Sequence, residues 1–165
     1  MNGQYLKHDP HPVYLGVTLH RTLSYKQHLT QVANKVKSHN NLHTKLAGSG
    51  WGANANTLRS SVLAVCYSVA QYCCPVWARS AHTDLVDVQL NSTMRLITGT
   101  LHSAPMPWLP VLVNIEPPAL RHKTAVDWLI EKTALREDWP LHKDVFSPSC
   151  NCLPSYRLVQ HAGHA

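Results

Sequence analysis

Between Asn56 and Cys74 the chain carries Leu58, Val62, Leu63, Val65, Cys66, Val69, Ala70 and Cys73, so densely that apolar side chains cover most of a helical surface. A helix with so little polar face must be enclosed by other elements. The segment is therefore expected to be the central helix of one hydrophobic core. With 44% of 165 residues hydrophobic and 15% charged, there is enough apolar material for a single domain. The longest purely apolar run, Val62 to Tyr67, gives way to Ser68, Gln71, Pro75 and Arg79, well short of the roughly 20 residues that span a bilayer. No membrane partner is expected. Residues 1–20 hold no continuous apolar stretch behind a basic segment, so the chain is expected to stay inside the cell, in the nucleus or the cytoplasm.

On the N-terminal side, Val13 to Leu19 is rich in β-branched and aromatic residues and follows Pro10 and Pro12, which reads as a short strand. It needs a partner, either a sheet upstream of Met1 or a small hairpin formed here. From Thr22 or Ser24 a helical pattern begins, with Tyr25, Leu29, Val32, Val36 and His39 on one stripe and Lys26 and Lys37 off it. Gly48-Ser49-Gly50-Trp51-Gly52 ends that helix. After Pro75 a further helix is expected from Thr83 to Ile97, with Leu85, Val88, Leu90, Met94 and Ile97 apolar and Gly99 as its stop. Five prolines between 105 and 118 predict extended or turn structure rather than helix there. Pro118 can open a last helix reaching about Glu137. The predicted fold is mainly α: about four helices with a short N-terminal β segment, an irregular Pro-rich connector and a loose C-terminal tail. The boundaries are 1–20 for the β segment, 21–100 for the helical core, 101–118 for the connector, 119–138 for the further helix and 139–165 for a disordered tail.

Charge singles out one region. Residues 1–60 hold Lys7, Arg21, Lys26, Lys35, Lys37, Lys45 and Arg59 against the single acid Asp9, a net +6, while the remaining 105 residues carry eight bases and eight acids. All of the excess lies in the first third, as expected where one segment faces phosphate. Lys26, Lys35, Lys37, Lys45 and Arg59, with Trp51 as an aromatic for base stacking, form the candidate nucleic-acid-binding set. The competing reading is a solvated helix face.

Catalytic constellations are scarce. Asp84 and Asp87, at a helix start, are accounted for by capping and the helix dipole, and Glu137-Asp138 reads as solvated surface. Of twelve histidines most occur singly among polar residues and read as surface groups. Cys73 and Cys74 read as small core hydrophobes and the five cysteines as free thiols. Cys150, Cys152, His161 and His164 are zinc-ligand types, but one residue between the cysteines and two between the histidines depart from common zinc-module spacings. Neither a nucleophile elbow nor a P-loop is present. No metal or other cofactor is expected.

Tyr14-Leu15-Gly16-Val17-Thr18-Leu19 followed by Leu23-Ser24-Tyr25-Lys26-Gln27-His28-Leu29 resembles the segment just after the polymerase palm in LINE-type, jockey-like non-LTR retrotransposon reverse transcriptases. The resemblance continues in order through Leu46-Ala47-Gly48 with Trp51-Gly52, then Leu58-Arg59, then Tyr72-Cys73-Cys74-Pro75-Val76-Trp77. It ends with Gln89 through Arg95-Leu96-Ile97-Thr98-Gly99 and Ile115-Glu116-Pro117-Pro118. It covers residues 12 to 137 and implies the thumb and adjoining helices, which grip template and primer. By that resemblance Lys26, Lys35 and Lys37 are phosphate contacts. The family's catalytic signature, an aromatic-Ala-Asp-Asp hairpin, is missing, since no Asp-Asp pair occurs in the chain. His20 stands where the family usually carries an acid, which suggests a decayed or domesticated copy. Magnesium-dependent DNA synthesis belongs to the full-length parent only, because phosphoryl transfer needs the metal carboxylates.

The expected function is thus that of a noncatalytic fragment binding RNA or RNA–DNA hybrid nonspecifically through phosphates. The alternative is an inert relic or protein-interaction module, marked by self-association through a surface exposed by loss of the palm.

Overall fold

The computed structural model describes residues 9–47, 52–100 and 103–146. In chain order these form β1 (Val13–Tyr14), β2 (Val17–Thr18), α1 (Lys26–Leu46), α2 (Ala55–Val62), a π-helical turn (Leu63–Tyr67), α3 (Ser68–Gln71), α4 (Cys74–Trp77), α5 (Asp84–Thr98), a 3-10 turn (Met106–Trp108), α6 (Leu109–Val113), α7 (Pro118–Ala134) and α8 (Pro140–Phe146). The chain divides into two compact units, residues 1–124 and 125–165, the division falling within α7. No helix among the described residues is long and apolar enough to cross a membrane.

In the first unit, the predicted central segment is helical from α2 through the π turn to α3. Asn54 starts it by accepting the Thr57 N–H at 2.8 Å, which satisfies one of the free amides of the first turn. Leu58, Val62, Cys66 and Ala70 are buried at four-residue steps, with Tyr67 beside them. The helix ends before Pro75. Tyr72 is extended and Cys73 left-handed, with φ 51°, and Pro75 instead occupies the first turn of α4, where its missing N–H costs nothing. α4 delivers Trp77, the largest fully buried side chain, whose Nε1 donates to the Tyr72 carbonyl at 3.0 Å.

α1 packs along α5, burying Leu29, Val32 and Val36 against Val86, Leu90, Met94 and Ile97. Each such side chain stabilises by about 1.5–3 kcal/mol through apolar burial. The seam is pinned by Asn40, whose amide donates to the Gln89 carbonyl at 3.1 Å. Its Oδ1 accepts from the Thr93 hydroxyl at 2.7 Å. α5 stops at Gly99, in the left-handed region at φ 65°, as the sequence predicts. Its buried stripe differs from expectation at the start: Val86 and Thr93 are inside, while Leu85 and Val88 are exposed.

The short strand found its partner as a hairpin, with Val13 opposite Thr18 and Tyr14 opposite Val17. Leu15 and Gly16 turn it, both at positive φ, 47° and 78°, the geometry of a tight two-residue hairpin.

Three expectations are corrected. The Pro-rich stretch contains helix, the 3-10 turn and α6, because Pro107 and Pro110 sit in the first turn of each, where proline is tolerated. The tail begins with a helix, α8, which Pro140 opens in the same way; residues 147–165 lie outside the described residues. Not all histidines are surface groups: His28, His43 and His122 are buried.

In the second unit, Thr133 is buried and its hydroxyl donates to the Leu129 carbonyl at 2.8 Å. Lys132 Nζ lies 3.9 Å from the centre of the Trp128 ring, a cation–π contact.

Candidate nucleic-acid interface

α1 is 21 residues long and contains four lysines and no carboxylate. Lys26, Lys35, Lys37 and Lys45 are all exposed, because the buried stripe of Leu29, Val32, Val36 and His43 turns the remaining faces outward. They do not form one row. Lys26 and Lys37 are three turns apart and share a stripe, Lys45 lies about 100° around the helix from Lys26, and Lys35 about 180°. Lys35 lies on the hairpin side, lining a 290 Å³ depression with Gly16, His28 and Tyr72. Lys37 lines a different feature, a cleft of about 650 Å³ between α1 and α5.

Two histidines fix how α1 presents these lysines. His43 Nδ1 donates to the His39 carbonyl at 2.8 Å, and its Nε2 lies 2.8 Å from Ser61 Oγ on α2. His28 Nδ1 accepts the Thr18 N–H at 3.3 Å, tying α1 to the hairpin. Burial, with Lys35 adding to it, lowers the His28 pKa below its ordinary 6.5, which keeps that nitrogen free to accept.

Arg59 is placed elsewhere. Its Nε donates to the Val113 carbonyl at 2.8 Å and its Nη2 to the Asn114 carbonyl at 2.7 Å. It therefore closes the C-terminus of α6, where free carbonyls and the helix dipole favour a cation. Trp51 lies outside the described residues, as do Cys150, Cys152, His161 and His164. Among the described residues no three His, Cys, Asp or Glu side chains gather into a metal-holding group.

One cation beside α1 does not show in the charge excess. Arg95, in the last turn of α5, lines the same cleft as Lys37. It lies beyond residue 60, where bases and acids balance, so position along the chain hid it; only the contact of α1 with α5 brings it to the basic helix.

Asp87 is more than a helix-start charge. Its carboxylate lies 3.7 Å from His122 Nδ1, close enough for an ion pair, yet burial pushes Asp87 up to about 6, with Asp84 adding to it. Burial, with Arg121 beside it, lowers His122. Both shifts disfavour charge, so burial works against a salt bridge at this contact. Burial also raises the Cys66 and Cys74 thiols to about 11 each, which fits core residues rather than nucleophiles.

No protein-family model, curated protein or solved structure matches this chain.

Proposed function

We propose that this chain is a noncatalytic fragment from the thumb side of a non-LTR retrotransposon reverse transcriptase, and that it binds RNA or RNA–DNA hybrid nonspecifically through phosphates. The observation that carries the binding is α1, whose four lysines are exposed and unaccompanied by any acid on the same helix. Such a surface gathers phosphates and releases their counterions, so affinity falls steeply with salt, by a slope of roughly 0.7–0.9 per phosphate contact. The origin is supported by where the resembling blocks fall. Leu15-Gly16 makes the hairpin turn, Trp77 fills the core, Gly99 stops α5 and Pro118 opens α7. The absence of catalysis rests on the lack of an Asp-Asp pair in the sequence.

The test is fluorescence anisotropy with a labelled primer–template hybrid across a salt series, beside a variant carrying Lys26→Ala, Lys35→Ala and Lys37→Ala. Saturable binding that weakens with salt and with those substitutions is expected. A folded sample that does not bind rejects the reading. The self-association alternative draws on the exposed Val13, Tyr14 and Leu15 of the hairpin, 66%, 66% and 71% accessible. Sedimentation velocity over a concentration series detects it.

A further inference from the structure

The cleft between α1 and α5 has the chemistry of an anion seat. Lys37, Asn41 and Thr44 line it from α1, and Ser92, Arg95 and Thr100 from α5 and the residues after it. No carboxylate lines it; the two acids of α5, Asp84 and Asp87, stand in its first turn, at the opposite end from Arg95. At its floor Asn40 ties the two helices through Gln89 and Thr93.

Arg95 itself is under-used. A guanidinium carries five N–H donors and no acceptor. Here Nη2 meets the Met106 thioether at 2.9 Å, a weak acceptor, while Nε is shielded from solvent and has no partner. What sets Arg95 apart is the want of an oxygen acceptor: Arg59 has two carbonyls, and Arg121, whose Nε is likewise shielded and unpartnered, donates to Gln71 Oε1 at 3.0 Å and lies over the Tyr67 ring. The C-terminal dipole of α5 offsets part of the Arg95 charge, but it supplies no oxygen acceptor for the guanidinium fork. A group with oxygens in a plane that matches the guanidinium fork and a second charge site for Lys37 does so, and phosphate is such a group.

We infer that Arg95 and Lys37 form a seat for a phosphodiester group in the α1–α5 cleft, with Arg95 giving the directional contact and Lys37 the second charge. The identity of the ligand as a nucleic-acid strand rests on the proposed function; the anion seat does not. A strand held there continues onto the exposed stripe of Lys26 and Lys37.

The test uses the full chain, with Arg95→Gln and Arg95→Lys variants and two probes. The first is a short RNA–DNA hybrid followed by anisotropy across a salt series. The second is inorganic pyrophosphate followed by the Arg Nε–Hε resonances in nitrogen-edited NMR. Arg95→Gln is expected to weaken hybrid binding several-fold and to lower the salt slope by about 1. Arg95→Lys, which keeps the charge and loses the fork, should restore the slope but only part of the affinity. Pyrophosphate should shift the Arg95 Nε–Hε signal in the parent chain. If the hybrid binds and Arg95→Gln leaves both affinity and slope unchanged, the seat is wrong and the proposed function stands. If pyrophosphate shifts Arg95 but the hybrid does not bind, the seat stands and the nucleic-acid reading falls. If neither probe responds, both are wrong.

Discussion

The seam between α1 and α5 and the surroundings of Trp77 both bury polar side chains, and the two regions treat them differently. At the centre of the seam, Asn40 gives its amide to Gln89 and takes the Thr93 hydroxyl, and on the adjoining α1–α2 contact His43 reaches both His39 and Ser61; the unpartnered Nε of Arg95 stands apart, in the last turn of α5. Around Trp77, whose ring meets His122 edge-on at 5.0 Å, Asp87 Oδ1 and His122 Nε2 have no hydrogen-bond partner. Satisfied polar groups fix the register of two helices, since each misplacement would strand a donor or acceptor. Unsatisfied ones weigh against the fold, and the apolar packing around them has to outweigh that cost.

The contrast can be broken or sharpened by substitution. Trp77→Ala should be the most damaging change, costing about 3–5 kcal/mol through the cavity it leaves. Urea denaturation reads it, and a loss under 1 kcal/mol would mean that Trp77 does not organise this region. Asn40→Ala should cost about 1–3 kcal/mol, because two hydrogen bonds across the seam are lost, although the Thr93 hydroxyl and the Gln89 carbonyl keep their mutual bond at 2.8 Å within α5. An unchanged denaturation midpoint would show that the seam is held by its apolar contacts alone.

Asp87→Asn should act in the opposite direction. The folded pKa of Asp87 is raised from 3.8 to about 6, so the folded state holds the proton more tightly than the unfolded one and the ionised form weakens the fold above pH 6. Lowering the pH through about 6 toward 3.8 relieves that penalty. The substitution should therefore stabilise by about 1 kcal/mol at pH 8, after discounting for partial solvent screening and the lost dipole contact. The gain should vanish near pH 4. Denaturation at both values checks the sign, and a destabilised variant at pH 8 would make the Asp87–His122 contact a true ion pair. The smallest effect on stability is expected from Lys26→Ala with Lys37→Ala, within about 0.5 kcal/mol, since both side chains are exposed. If thermal melting shows a larger loss, these lysines support the fold and their effect on binding has to be corrected for it.

Periodic and punctuating residues were read correctly where one local cause decides the outcome. The buried face of α1 follows from Leu29, Val32 and Val36, the enclosed helix from Leu58, Val62, Cys66 and Ala70, and the end of α5 from Gly99. Proline was misread in the 105–118 stretch because its effect depends on its place in a turn: Pro107 and Pro110 stand where no N–H is required. Histidine was misread because burial is set by neighbours in space; His28, His43 and His122 meet Thr18, Ser61 and Asp87 from other elements.

By itself the sequence determined that the chain is mainly helical, where its chief helices run and that its net charge lies in the first third, since periodicity, glycine, proline and formal charge act over a few residues. Only the tertiary structure decided which cations face a common surface. It drew Arg59 away to the carbonyls of α6, put Lys35 on the hairpin side of α1, and brought Arg95 from the electrically balanced part of the chain to Lys37. The physical reason is that a charge acts through space, and distances between helices are fixed by packing rather than by separation along the chain.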